Sequence, residues 1–256
     1  MQDWDSRQYL KFEKERTQPA IDLASRVAVQ DPKKIVDIGC GPGNSTQVLA
    51  QKYPNARIIG ADNSQDMIEA ARKEHPGMEF VLCDAGRDLS ALGGGFDIVF
   101  SNACIQWIPD HETLIPGMMA LLKKGGVLAV QIPQNFQEPI HLIVNKTVTS
   151  GKWKEYTRFP RIFHTLTPDR YFDLLSELTA DFSIWEVVYY HTMRAHQDIL
   201  EWYRGTGLRP FLNALPDNKK KAFEQDILTE LIKAYPVQKG GGVLFKFPRL
   251  FFTAVK

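Results

Sequence analysis

Between about residues 33 and 132, five short apolar runs alternate with helical patterns. The runs read KIVDIG, RIIGAD, EFVLC, FDIVFSN and GGVLAVQIP, and STQVLAQKY, SQDMIEAARKEH and HETLIPGMMALLKK lie between them. Near-continuous apolar strands separated by helices predict a parallel sheet covered on both faces. Right-handed crossovers then make the sheet doubly wound. After Pro133 the rhythm changes. Residues 136–150 and 168–178 read as helices, separated by the aromatic, basic loop WKEYTRFPRIFH. FSIWEVVYYH reads as a strand, helices follow near 195–204 and 216–234, and KGGG leads into a last strand, VLFKFPRLFFTAV.

The expectation is therefore a single α/β domain over residues 1–256, long enough to bury a large core. Its sheet is Rossmann-like, mostly parallel and doubly wound, with helices on both faces. A cap helix spans about 5–30 and a ligand-binding core about 33–132. Helical segments of about 134–180 and 192–240 form a lid over the ligand edge, and the two late strands complete the sheet.

Composition narrows the function classes. With 31 Lys and Arg against 30 Asp and Glu the net charge is +1, which argues against nucleic acid or an anionic membrane as partner. No segment has the uncharged apolar length to span a bilayer, and MQDWDSRQYLKFEKER is too charged for a signal peptide. Cys40, Cys83 and Cys104 form no C-x-x-C and read as reduced core thiols of a cytoplasmic protein. Histidine and cysteine spacing predicts no metal site. The KKK at 219–221 reads as a solvated helix face, and nothing in the sequence calls for an obligate protein partner.

Four signals concern a ligand. In IVDIGCGPGNSTQVL, Gly39, Gly41 and Gly43 lie between a strand and a helix. Bare backbone there lets a ligand approach unpaired helix N–H groups. The spacing is G-x-G-x-G, not the G-x-G-x-x-G of a dinucleotide fingerprint. Asp62, in IIGADNS, ends the next strand, where a carboxylate can accept both hydroxyls of a ribose. Asp84, in LCDA, ends the third, within reach of an adenine amino group. Asn102 and Gln106, in SNACIQW, follow the fourth. Either aspartate alone reads equally well as a helix N-cap or turn residue. Together, at the carboxyl ends of parallel strands, the four fit S-adenosylmethionine better than a dinucleotide.

DIGCGPGNS, ADNS, CDA and NACIQWIPDH resemble class I S-adenosylmethionine-dependent methyltransferases. YLKFEKERTQPA, GGVLAVQIPQNFQEP, GTGLRPFL and FPRLFF narrow the resemblance to the trans-aconitate 2-methyltransferase family, across nearly the whole chain. The resemblance implies backbone around Gly39 at the methionine moiety, and Asp62 with neighbouring Asn63 at the ribose. It puts Asp84 with Ala85 at the adenine, Met67 packed on that ring, and Asn102 at the methionine end. Met67 reads nearly as well as helix core.

The implied reaction methylates a carboxylate of an aconitate-like acid to a monomethyl ester. A carboxylate is ionised at pH 7 and needs no base, so none of His75, His111, His141, His164, His191 and His196 is assigned that role. The acid needs cations and donors: Arg16, Arg161, Arg194, Arg209 and Arg249, with Tyr189, Tyr190 and His191. A guanidinium grips carboxylate bidentately, and Arg209, between glycine and proline beside aromatics in GTGLRPFL, is the leading choice. Arg16 has a second reading, as partner of the S-adenosylmethionine carboxylate. Two departures bear on the acceptor: Gln18 stands where the family has arginine, and Pro133-Gln134-Asn135 where it commonly has Pro-Asp-Asn. The alternative function is a same-fold methyltransferase acting on another small or carrier-bound acid. The glycine spacing argues against a nucleotide-binding oxidoreductase, the aromatic insertion against a catalytically silent binding module, and the charge balance against RNA methylation.

Overall fold

The computed structural model describes residues 13–157 and 163–256. Helix α1 (Glu13–Arg26) lies within the span of about 5–30 read as a cap helix; residues 5–12 of that span lie outside the described residues, as does Arg161. The alternating segment folds as β1 (Lys34–Ile38), α2 (Asn44–Lys52), β2 (Arg57–Asp62), α3 (Gln65–Glu74), β3 (Glu79–Leu82), β4 (Phe96–Asn102), α4 (His111–Ala120) and β5 (Leu122–Pro133). The remainder forms α5 (Pro139–Thr149), α6 (Pro168–Leu178), β6 (Phe182–Met193), α7 (His196–Arg204), α8 (Arg209–Ala214), α9 (Asp217–Ala234) and β7 (Val243–Val255).

The seven strands are ordered β3-β2-β1-β4-β5-β7-β6. The first five pair parallel, and β7 runs antiparallel to both β5 and β6. Strand order reverses between β1 and β4, the topological switch point where open α/β sheets hold ligands.

Period-two alternation sends successive strand residues to opposite faces. Val36, Ile38, Val99 and Val130 meet Ile115 and Met118 of α4 and Tyr171 and Leu175 of α6 on one face. Ile35, Ile98, Phe100 and Ala129 meet Leu23 of α1 and Leu49 of α2 on the other. Burial on both faces explains why these strands read as continuous apolar runs.

A further apolar cluster lies around the far end of the β6–β7 pair. Ile140, Trp202, Tyr203 and Phe223 from α5, α7 and α9 pack there on Phe245 and Phe247. Pairing between β5 and β7 stops at Pro133–Arg249, whereas β6 and β7 stay paired to Met193–Val243. Beyond Arg249 the sheet is thus a two-stranded ribbon carrying helices. This ribbon places the helical layer beside the carboxyl end of β5.

Two boundaries differ from expectation. The segment HETLIPGMMALLKK leaves the helix at Ala120, because Leu122 already pairs with Phe96. The stretch containing Arg209 forms the short helix α8, which starts with Arg209 and Pro210, a favourable residue for a first helical turn.

Candidate active site

The three glycines after β1 serve three different needs. At Gly39 (φ +75°) a Cβ would lie 2.1 Å from Cys104 Sγ, so a side chain there is excluded sterically as well as conformationally. Gly41 (φ +54°) would point a Cβ into open space, which leaves its backbone approachable. Gly43 (φ +99°) caps α2 in left-handed geometry, and a Cβ there would meet the His75 ring at 2.5 Å.

Two carboxylates brace this turn. Asp37 is fully buried, and its Oδ2 accepts from Ser45 Oγ (2.6 Å) and Thr46 Oγ1 (2.7 Å). Its Oδ1 has no partner among the described residues, and burial raises its pKa to about 6 despite the two hydroxyls. Asp62 accepts the Gly41 N–H on Oδ2 and the Ser64 N–H on Oδ1, both at 2.9 Å. Burial raises its pKa too, against the pull of these backbone donors. A carboxylate oxygen has two lone pairs, so each Asp62 oxygen keeps acceptor capacity beyond its backbone bond.

These residues open on a cavity of about 780 Å³ at the carboxyl ends of the parallel strands. Its walls include Gly39, Cys40, Gly41 and Ser45 after β1, and Asp62, Asn63 and Met67 after β2. Asp84 and Ala85 follow β3, and Asn102 and Ala103 end β4. Asp84 Oδ1 accepts the Gly86 N–H at 3.1 Å, while Arg87 Nε lies 3.4 Å from Oδ2. Asn102 Oδ1 is buried with no partner among the described residues. Ala103 holds φ at +53°, a costly conformation for alanine at the junction of strand and cavity. Cys40, Cys83 and Cys104 all line the space, and burial raises each thiol's pKa, so they stay protonated and unreactive.

A smaller cavity of about 90 Å³ adjoins, sharing Arg16, Ala103 and Trp107 with the larger one. Arg249, Asn135, His141, Tyr203 and Thr206 complete its polar lining with Gln106. Arg16 donates to the Trp202 carbonyl at 3.2 Å and lies 4.9 Å from the centroid of that indole. Arg249 donates to Gln131 Oε1 at 3.2 Å and stacks 4.4 Å from the Phe247 ring centroid. Tyr203 carries a relay: its hydroxyl accepts from Asn135 Nδ2 (3.1 Å) and lies 2.7 Å from His141 Nε2.

Most residues expected around the cofactor thus gather on the large cavity, with two adjustments. Gly43 stands behind the wall, because its work is to cap α2 beneath His75. Gln106 lines the small cavity instead, its side chain turned back to donate to the Ala103 carbonyl at 2.6 Å. Of the residues expected at the acceptor, Arg16 lines both cavities.

Tyr189, His191 and Arg209 are off both walls. The Tyr189 hydroxyl donates to Asp22 and ties β6 to α1. His191 stacks on Trp202 at 5.1 Å, inside the aromatic cluster, where burial and Arg249 lower its pKa to about 4. Arg209 heads α8, where its neighbour Pro210 lines the large cavity in its place. Gln18 faces solvent and donates to Asp22 at 2.8 Å, and Gln134 donates to the Leu166 carbonyl at 3.3 Å. Neither departure from the family pattern lines either cavity.

Tyr203 and Thr206 join the site without any signal in the sequence, His141 enters it although no role is assigned to it from the sequence, and Asn135 comes from the Pro133-Gln134-Asn135 segment read as bearing on the acceptor. They come from three separate segments, and spacing along the chain does not show that these converge. His111 is accounted for structurally: its Nε2 donates to the Ile105 carbonyl (2.8 Å) and its Nδ1 accepts from Tyr171 (2.6 Å). Among the described residues no group of His, Cys, Asp and Glu could hold a metal, and no helix is long and apolar enough to cross a membrane.

A family model described as a methyltransferase domain matches residues 35–126. The chain is 41% identical to a trans-aconitate 2-methyltransferase of Rhodopseudomonas palustris, with 100% of each chain covered. It is 40% identical to another from an Enterobacter species, over 99% of this chain and 98% of that one. Among solved structures it is similar to the YcgJ protein of Bacillus subtilis, at TM-score 0.59 and 14% identity over 93% of this chain and 98% of that one. A phosphoethanolamine N-methyltransferase 2 of Haemonchus contortus, solved with S-adenosylhomocysteine, matches at TM-score 0.54 and 18% identity, over 93% of this chain and 52% of that one. The two solved structures speak for the fold. The full-length identities run through the helical layer as well as the sheet, and on them the chain belongs to the trans-aconitate 2-methyltransferase family.

Proposed function

We infer that the protein transfers a methyl group from S-adenosylmethionine to a carboxylate of trans-aconitate or a closely similar small acid, giving a monomethyl ester. One observation carries the reading: a large cavity with an adenosine-type lining adjoins a smaller one whose described lining includes Arg16 and Arg249, and the two share Arg16, Ala103 and Trp107. The lining suits the cofactor chemically. Asp62 has acceptor capacity for ribose hydroxyls, Asp84 and Ala85 sit where an adenine edge needs a partner, and Met67 gives the ring an apolar floor. Asn102 Oδ1, buried and unpartnered among the described residues, suits an ammonium donor at the methionine end. Bare backbone at Gly39 and Gly41 lets the chain close on that moiety.

Bound S-adenosylmethionine supplies an electrophilic methyl group on a sulfonium. The protein's part is to hold a carboxylate oxygen in line with it and to exclude water. Aligning two reactants can lower a barrier by about 7–11 kcal/mol, and desolvation strengthens the attraction of opposite charges. No side chain has to move a proton, because the nucleophile is ionised and the leaving thioether is neutral. The helical layer on the β6–β7 ribbon acts in this reading as the lid, with the sheet core holding cofactor and the reaction taking place in the cytoplasm. The test is incubation with methyl-labelled S-adenosylmethionine and a panel of mono-, di- and tricarboxylic acids. A labelled monomethyl ester of an unsaturated tricarboxylic acid is expected; label on an amine or a hydroxyl instead would overturn the reading.

A further inference from the structure

We propose that Gln106 is a positioning residue for methyl transfer: it holds Ala103 in a left-handed backbone conformation where the two cavities meet, and so fixes how cofactor and acceptor face each other. The proposal rests on the assignment of the large cavity to S-adenosylmethionine. It gives Gln106 work on the protein's own backbone, in place of the cofactor contact expected of it from the sequence.

The first observation is strain. Among the described residues, three other than glycine have positive φ: Asp31, Ala103 and Asp110. The short polar side chain of an aspartate can support that conformation by bonding locally, as Asp110 does in accepting the Thr113 N–H. Alanine has no such group, so the structure around Ala103 must hold it in place. Its two backbone polar groups show how. The N–H donates to the Gln131 carbonyl of β5 at 2.9 Å, and the carbonyl accepts from Gln106 Nε2 at 2.6 Å. One bond ties Ala103 to the sheet and the other closes the turn.

The second observation is the turn itself. Past Cys104 the chain winds at once into a 3₁₀ helix (Ile105–Trp107), which brings the Gln106 amide back to the carbonyl three residues earlier. That helix is tied down in turn, because the His164 N–H donates to the Gln106 carbonyl at 3.0 Å. Third, the Gln106 amide is only half used. The side chain is 3% exposed, and with Nε2 directed at a carbonyl, Oε1 is left as a buried acceptor with no partner among the described residues. An unpaired buried oxygen lowers stability, and an apolar side chain of the same length would avoid it. Packing therefore does not account for a glutamine here, whereas the bond to Ala103 does.

Position gives the strain a use. Ala103 lines both cavities, Asn102 before it lines the large one, and Cys104 after it packs against Gly39. A return of Ala103 to negative φ would re-aim both neighbours and move the wall that cofactor and acceptor share.

The experiment is steady-state kinetics of Gln106→Met with S-adenosylmethionine and trans-aconitate, beside calorimetric binding of S-adenosylhomocysteine and a crystal structure of the variant. Methionine keeps the length and removes the donor. The expected kcat falls about 10- to 100-fold, the scale of a misplacement near 1 Å. The KM for trans-aconitate and the affinity for S-adenosylhomocysteine stay within about threefold, since alignment is lost and binding is kept. That affinity also reports folding; should Gln106→Met not fold, Gln106→Glu, which sets a carboxylate oxygen against the Ala103 carbonyl, carries the test with the same expectations. Adding Ala103→Gly recovers part of kcat, because glycine enters the left-handed region without strain. Unchanged kcat would overturn the proposal, as would a loss of S-adenosylhomocysteine affinity as large as the loss of kcat, or a glycine that recovers nothing. The reading of function fails separately: if the wild type esterifies no acid, the crystal structure still decides. Ala103 leaving positive φ in Gln106→Met would then keep the clamp and discard the reaction, and positive φ retained there would overturn the proposal.

Discussion

Asp62 shows how much one carboxylate is asked to do. It accepts the Gly41 N–H and the Ser64 N–H, fixing the glycine turn against the end of β2, and presents its remaining lone pairs to the cavity. Asp62→Ala is expected to weaken S-adenosylmethionine binding by about 1.5–3 kcal/mol, the range for hydrogen bonds involving a charged group. Calorimetry showing unchanged affinity would remove Asp62 from the site. Asp37 makes a different prediction. Its folded-state pKa is raised from 3.8 to about 6, so its contribution to stability is full below about pH 4 and is lost as pH rises through 6. A rise of that size is worth at most about 3 kcal/mol. Asp37→Asn removes this titration while keeping an oxygen for Ser45 and Thr46. The unfolding free energy of the variant should therefore gain on that of the wild-type apoprotein between pH 4 and 8. A difference that stays flat with pH would mean that Asp37 is not desolvated in solution.

At the scale of elements, the β1 turn was legible because its requirement is local. Three glycines at positive φ between an apolar run and an amphipathic one mark a tight strand-to-helix turn with exposed backbone. Its neighbours were not legible: nothing in the sequence says that Cys104, past β4, packs against Gly39. That contact gives a test. Gly39→Ala would bring a Cβ to 2.1 Å from Cys104 Sγ and 2.2 Å from its Cβ, in a backbone region that alanine disfavours by about 1–2 kcal/mol. Binding of S-adenosylmethionine should collapse in Gly39→Ala, stay lost with Cys104→Ala added, and recover in part with Cys104→Gly. Recovery with Cys104→Ala would contradict this packing. The late strands were equally readable, from their β-branched and aromatic content. Helix α8 was not, since its six residues are too few to establish a period.

At the scale of the whole molecule, a sheet edge that suits the cofactor is joined to a helical layer that shapes the smaller cavity. The sheet could be read from alternation because burial on both faces leaves a direct mark on residue type. The smaller cavity could not, because its residues come from α1, β7, α5, α7 and the segments after β4 and β5, which spacing along the chain does not bring together. Choosing among arginines by their neighbours in sequence favoured Arg209, whereas the strand pairing that sets Arg249 opposite Pro133 puts Arg249 on the cavity wall.

The central claim is that this architecture achieves methyl transfer by placement, with an already ionised nucleophile. It is tested most directly by kcat at saturating S-adenosylmethionine and trans-aconitate, measured from about pH 4 to 9. Transfer by placement predicts a rate that rises out of acid as carboxylates near pKa ~4 ionise and is level from about pH 7 to 9. A rate that climbs tenfold per pH unit between about pH 6 and 8 would require deprotonation of the acceptor by an enzymic base and would contradict carboxylate attack.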